Sequence, residues 1–110
     1  MRPLSRDTFH ILVALADRER HGYSIMQDVH KRTGGAVRLS PSTLYSAIKR
    51  LLDEGLIEEL AERPDPDNHD ERRRYYRLTK AGRRAAAEEA KHLEKLLGDA
   101  RSSGLVPKRS

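Results

Sequence analysis

Ser40-Pro41-Ser42-Thr43-Leu44-Tyr45-Ser46-Ala47-Ile48-Lys49-Arg50-Leu51-Leu52-Asp53 carries a helix start and a two-sided helix in one stretch. Ser40 is a good N-cap residue, and Pro41 occupies the first helical position, where its missing N–H has no partner to lose. Leu44, Ile48 and Leu51 recur at helical spacing with Ala47 and Leu52 on the margins, until Glu54-Gly55 ends the pattern. Ser42, Ser46, Lys49, Arg50 and Asp53 fall on the opposite side. One face is built for a core and the other for something polar.

Upstream, Ser5 is a second N-cap, and Phe9, Leu12, Val13 and Ala16 follow on one face of a helix ending near Asp17. Ile11 and Leu15 make the other side apolar too. A helix apolar all round is buried on both sides, which assigns Ile11 and Leu15 to contact with a second chain. His21-Gly22-Tyr23 reads as a turn. Ile25, Met26 and Val29 then mark a second helix closed by Gly34-Gly35, and residues 36–39 form an extended link to Ser40.

Downstream, residues 56–60 and 73–78 suit two strands of a hairpin whose long tip is the Pro, Asp and Asn-rich stretch 64–70. Thr79 can cap a last helix running to Ala100, in which Ala86, Ala90, Leu93, Leu97 and Ala100 alternate at steps of four and three. That is a seam for a partner helix. Residues 101–110 lack periodicity and are expected to be a disordered tail. The fold class is therefore mainly α with a small β-hairpin. Three helices followed by a hairpin is the order of a winged helix-turn-helix over residues 1–78, with a C-terminal dimerisation helix over 79–100.

A chain of 110 residues has room for one modest core. Its aromatics are Phe9 and four tyrosines, so Leu, Ile, Val and Ala must fill that core. Lys and Arg number 22 against 17 Asp and Glu, a net charge of +5 that is compatible with a polyanionic partner. The lack of cysteine excludes disulfides, zinc-thiolate sites and thiol nucleophiles. No apolar run approaches the roughly 18 residues of a membrane span, and no cleavable leader is visible, so a soluble, cytoplasmic protein is expected, with no membrane contact. There is no glycine-rich phosphate loop and no grouped Ser, His and Asp, so neither enzymatic activity nor a cofactor is expected.

His21-Gly22-Tyr23, Arg32-Thr33-Gly34-Gly35, Ser40-Pro41-Ser42-Thr43-Leu44-Tyr45, residues 51–56, and Arg74-Tyr75-Tyr76-Arg77-Leu78-Thr79 with Ala81-Gly82 together resemble the PadR family of transcriptional regulators. The resemblance spans residues 12–97 and is closest to the shorter members, with a single C-terminal helix. It implies a repressor-like homodimer on double-stranded DNA, with two recognition helices about 34 to 36 Å apart on a pseudo-palindromic operator. It also implies release by a small-molecule effector.

In that setting Ser42, Thr43 and Ser46 are short hydroxyl side chains able to donate or accept at base edges, while Lys49 suits a phosphate or a guanine. Ser40, Tyr45 and Tyr23 complete this DNA-facing set. Ser42 and Thr43 could instead only complete the helix cap, and Tyr45 either bonds a phosphate or packs its ring in the core. Arg72, Arg73 and Arg74 enter the second wing strand together and could meet phosphates, unless Asp65, Asp67, Asp70 and Glu71 neutralise them within the hairpin. Tyr76 and Leu78 are assigned to the core.

Ala86, Ala90, Leu93 and Leu97, with Ile11 and Leu15, form the expected dimer interface. In the absence of tryptophan, Phe9 is the ring from helix one that could meet an aromatic effector. Two rival readings stand beside this one. A metal-responsive regulator would use the histidines, but Glu88 and His92, one helical turn apart, supply only two ligands, so no metal is expected. A protein-interaction module would use the winged domain and seam helix without DNA.

Overall fold

Three hydroxyl side chains start three of the helices. Ser5, Ser40 and Thr79 each accept the backbone N–H three residues on, and so open α1 (Arg6–Asp17), α3 (Pro41–Asp53) and α4 (Lys80–Ser102). The computed structural model describes residues 4–107, excepting the side chains of residues 69–71. Between α1 and α3 lie β1 (Arg20–His21) and α2 (Gly22–Arg32). The expected turn at 21–23 is thus the end of a strand and the start of a helix, because the His21 ring caps α2 by accepting the Ser24 N–H at its Nδ1, 3.1 Å away.

β2 (Ile57–Glu59), β3 (Arg63–Asp65), β4 (Asn68–Arg73) and β5 (Tyr75–Leu78) follow α3. β5 lies between β1 and β2, antiparallel to both, with Arg20 opposite Tyr76 and Ile57 opposite Leu78. The stretch expected as a loop tip is instead a second antiparallel ladder of β3 with β4, irregular at Pro64/Asp65. The order and layers are those of a winged helix-turn-helix, mainly α with a small antiparallel sheet.

The core is aliphatic: Ile11, Leu12, Ile25, Leu44 and Leu51 are fully buried, with Val29, Ile48, Ile57 and Tyr76 packed around them. Full burial of each large side chain stabilises by roughly 1.5–3 kcal/mol. Tyr76 and Leu78 serve this cluster as expected. Ile11 and Leu15 do not serve a dimer interface. They are 0% and 2% exposed, because α1 runs through the interior of the fold, with α2, α4 and β5 packed on it. Phe9 and Val13 are the half-covered apolar residues of α1, and Ala16 is exposed.

Arg20 ties the first three elements together. Its guanidinium donates to the Ala14 carbonyl, the Ser24 hydroxyl and the carboxylates of Asp17 and Asp28. At the other end, the Thr79 hydroxyl donates to the Gly55 carbonyl at 2.7 Å, and Gly82 presses its backbone on the Leu56 carbonyl where no Cβ fits. This clamps the first turns of α4 to the end of α3. Beyond Ala90 the helix is largely exposed, including Leu93, Leu96 and Leu97. α4 runs two residues past the expected Ala100 and closes with Gly104 at φ 81° and Leu105 N–H donating to the Ala100 carbonyl. The first part of the expected disordered tail is therefore ordered; residues 108–110 lie outside the described residues.

Candidate nucleic-acid interface

The apolar side of α3 is consumed by the core, which fixes the direction of the other side. Ser42, Thr43, Ser46 and Lys49 are all exposed. Ser40 and Thr43 form the cap, with the Ser40 hydroxyl accepting from Thr43 N at 3.1 Å and donating to the Thr43 hydroxyl oxygen at 3.0 Å. The side chains of Ser42, Ser46 and Lys49 have no hydrogen bond or ion pair among the described residues. Tyr45 takes neither of the two expected places fully. It is 49% exposed, yet its hydroxyl lies against Gly22, where an added Cβ would be only 2.5 Å away.

Gly22 begins α2, and the next residue, Tyr23, is also 49% exposed. The Arg73 guanidinium stacks 5.8 Å from the Tyr23 ring centre, joining the helix to the wing. Arg73 also donates to Asp65 at 3.0 Å, and Asp65 is buried and accepts the Asp67 N–H. Those two hydrogen bonds hold the Asp65 carboxyl below its ordinary value, with the backbone bond the larger cause. His21 lies in the same cluster, edge-on to Tyr75 at 5.3 Å. Burial lowers its pKa from 6.5, helped by the charges of Arg73 and Arg20 and opposed by Asp65 and Asp67.

The three wing arginines therefore differ. Arg72 is exposed and makes no ion pair among the described residues, Arg73 is held by Asp65, and Arg74 lies 3.6 Å from Glu59 and 4.0 Å from Glu62. The neutralising carboxylates are only partly those the sequence suggested; the side chains of Asp70 and Glu71 lie outside the described residues. Arg63 adds a fourth guanidinium, paired with Glu19 and stacked 4.6 Å from the Tyr75 ring centre. No three His, Cys, Asp or Glu side chains converge among the described residues.

This geometry can be set against known proteins. Residues 11–88 match the Transcriptional regulator PadR-like family. The chain belongs to that family. A transcriptional regulator of Mycobacterium tuberculosis is 39% identical over 87 residues, covering 79% of this chain and 75% of the relative. A PadR family transcription regulator of Clostridium difficile superposes with a TM-score of 0.75 at 22% identity, over 89% of this chain and 97% of that one. Bacillus subtilis PadR, solved in complex with operator DNA, superposes with a TM-score of 0.64 at 24% identity, over 76% of this PadR-like chain and 46% of that one.

Sequence reasoning missed three features. Leu96, 58% exposed, adds to the apolar strip of α4 but is off the four-and-three pattern. Asp65 looked like one more acidic tip residue, with only its position between two prolines to set it apart. Arg38 was absorbed into the link; its signal was a basic residue two places before an N-cap.

Proposed function

We propose that this PadR-like chain is a cytoplasmic, sequence-specific DNA-binding regulator that represses transcription as a homodimer. The observation that carries this is the outward face of α3, where Ser42, Ser46 and Lys49 are exposed and unpartnered beside a wing bearing Arg72 to Arg74. In a winged helix-turn-helix that face enters the major groove while the wing follows the backbone. Thr43 and Tyr45 flank the contact, and Ser40 and Tyr23 border it. The exposed strip Leu93, Leu96 and Leu97, with Ala86 and Ala90 leading to it and Phe9 and Val13 on α1, supports the second half of the proposal. Pairing along that strip sets two α3 helices to read a pseudo-palindromic site. A small-molecule effector acts by changing the relative pose of the two halves, and half-covered Phe9 on α1 is the ring we assign to an aromatic one.

Titration of the promoter duplex from its own locus against a random duplex at physiological salt tests the reading. Preferential binding of the promoter is the expected result. Equal affinity for both overturns it and leaves the protein-interaction module. Leu93→Lys with Leu97→Lys is expected to give a folded monomer by light scattering; a persisting dimer refutes the strip as the interface.

A further inference from the structure

A groove of about 500 Å³ runs along α2 and into the link before α3, lined by Tyr23, Met26, Gln27, His30, Arg38 and Leu39. Buried Leu39 and half-buried Met26 form its floor, and the exposed Tyr23, Gln27, His30 and Arg38 form its rim. No carboxylate lines it. The one acidic residue of α2, Asp28, is engaged elsewhere, with Arg20 at 3.1 Å and Arg32 at 2.6 Å. Arg38 has no hydrogen bond or ion pair among the described residues. Every polar group on the rim can donate a hydrogen bond, and one carries a fixed positive charge.

We propose that this groove seats a segment of the DNA sugar-phosphate backbone flanking the base pairs met by α3, with Arg38 clamping the phosphate. The inference rests on the DNA-binding reading above. Three facts converge on this occupant. Arg38 is two residues before Ser40, so the groove is continuous with the start of α3. A planar guanidinium matches phosphate geometry bidentately, and the amide of Gln27, the Tyr23 hydroxyl and a His30 ring N–H can donate to the remaining oxygens. The apolar floor suits the hydrocarbon face of a deoxyribose. The groove is thus a sequence-independent anchor, distinct from the base-reading face of α3.

Salt dependence tests the anchor. Affinities of wild type, Arg38→Ala and Lys91→Ala are measured for the promoter duplex and for a random duplex across a salt series. Lys91 is an exposed residue on α4, outside the proposed contacts, and serves as the charge control. Arg38→Ala is expected to weaken both duplexes equally, about tenfold at low salt, and to reduce the slope of log affinity against log salt by about 0.9, the signature of one lost phosphate contact. Lys91→Ala is expected to leave the slope unchanged. An Arg38→Ala slope equal to wild type, with promoter preference intact, overturns the anchor alone. A reduced slope without promoter preference overturns the specific-regulator reading alone. No binding of either duplex by wild type overturns both. Thermal melting of Arg38→Ala should match wild type, because the side chain holds nothing within the fold.

Discussion

The outward face of α3 and the arginines of the wing are two polar surfaces that the proposed function turns toward DNA, and their side chains are committed very differently within the fold. Ser42, Ser46 and Lys49 answer to nothing else among the described residues, whereas Arg73 is bound to buried Asp65 and Arg74 approaches two glutamates. An unpartnered side chain gives up only its hydration when it meets a ligand. A side chain already paired must exchange one partner for another, so its net gain is smaller and its removal is felt first in the fold. On the proposed reading the α3 face is therefore free to read the DNA, while the wing root is first of all scaffold that carries charge.

The strongest test of this contrast exchanges one residue on each side. Lys49→Ala should weaken promoter binding about ten- to hundredfold, the usual worth of a good base contact, with an unchanged melting temperature. Asp65→Ala should do the reverse. It removes the partner of Arg73 and the acceptor of the Asp67 N–H, so thermal unfolding should shift down by several degrees while promoter affinity changes less than in Lys49→Ala. Fluorescence anisotropy and calorimetry on the two variants decide the matter. Equal losses of affinity with equal melting temperatures would erase the distinction.

Acid should act on the wing root and spare the α3 face. His21 caps α2 in its neutral form, and burial lowers its pKa below 6.5, with Asp65, Asp67, Arg73 and Arg20 as the charges around it. Between the lowered folded value and 6.5 the unfolded chain binds the extra proton, so stability is full above 6.5 and declines as pH falls through that window. Asp65 contributes in a separate range, above the ordinary carboxylate value, and its share is lost only as pH falls through its lowered folded value. His21→Asn keeps an acceptor for the cap but cannot titrate. Chemical unfolding from pH 7 to 5 should show a flatter stability profile in this variant, and an unaltered profile would clear His21 of the role.

How much of this was legible beforehand follows from how local each cause is. The start and two faces of α3 were readable because cap, proline and periodicity lie within one stretch, and the Lys49 face follows from them. Periodicity showed α1 to be apolar on two sides but not what covers them. Ile11 and Leu15 are buried on a helix against which α2 and two segments far along the chain, α4 and β5, are packed, so they are core where a partner was expected. The β3 and β4 ladder was hidden because Pro64, Pro66 and the acidic residues give no alternating apolar signal. Its order comes from backbone pairing and from the Asp65 to Arg73 bond, neither of which has a local signature. Arg38 lay in a link without a pattern, and its meaning depends on the groove beside α2.

The smallest expected effect is also the finest probe of the contrast. Arg74 is two-thirds exposed, and its contacts with Glu59 and Glu62, at 3.6 and 4.0 Å, are at the outer edge of ion pairing. Such exposed pairs are worth between nothing and about 1 kcal/mol, so Arg74→Ala should barely move the melting temperature. If the wing follows the DNA backbone, the guanidinium swings from the glutamates to a phosphate at little cost, and Arg74→Ala should lower the salt slope of binding by up to about 0.9. Glu59→Gln then becomes informative. By freeing Arg74 from its nearer carboxylate, it should tighten DNA binding slightly at low salt and lose that advantage as salt rises. A weaker complex in Glu59→Gln would mean that the glutamate orients Arg74 toward the phosphate, and the wing would then work as a prearranged contact and not as a surface whose charge is held in check.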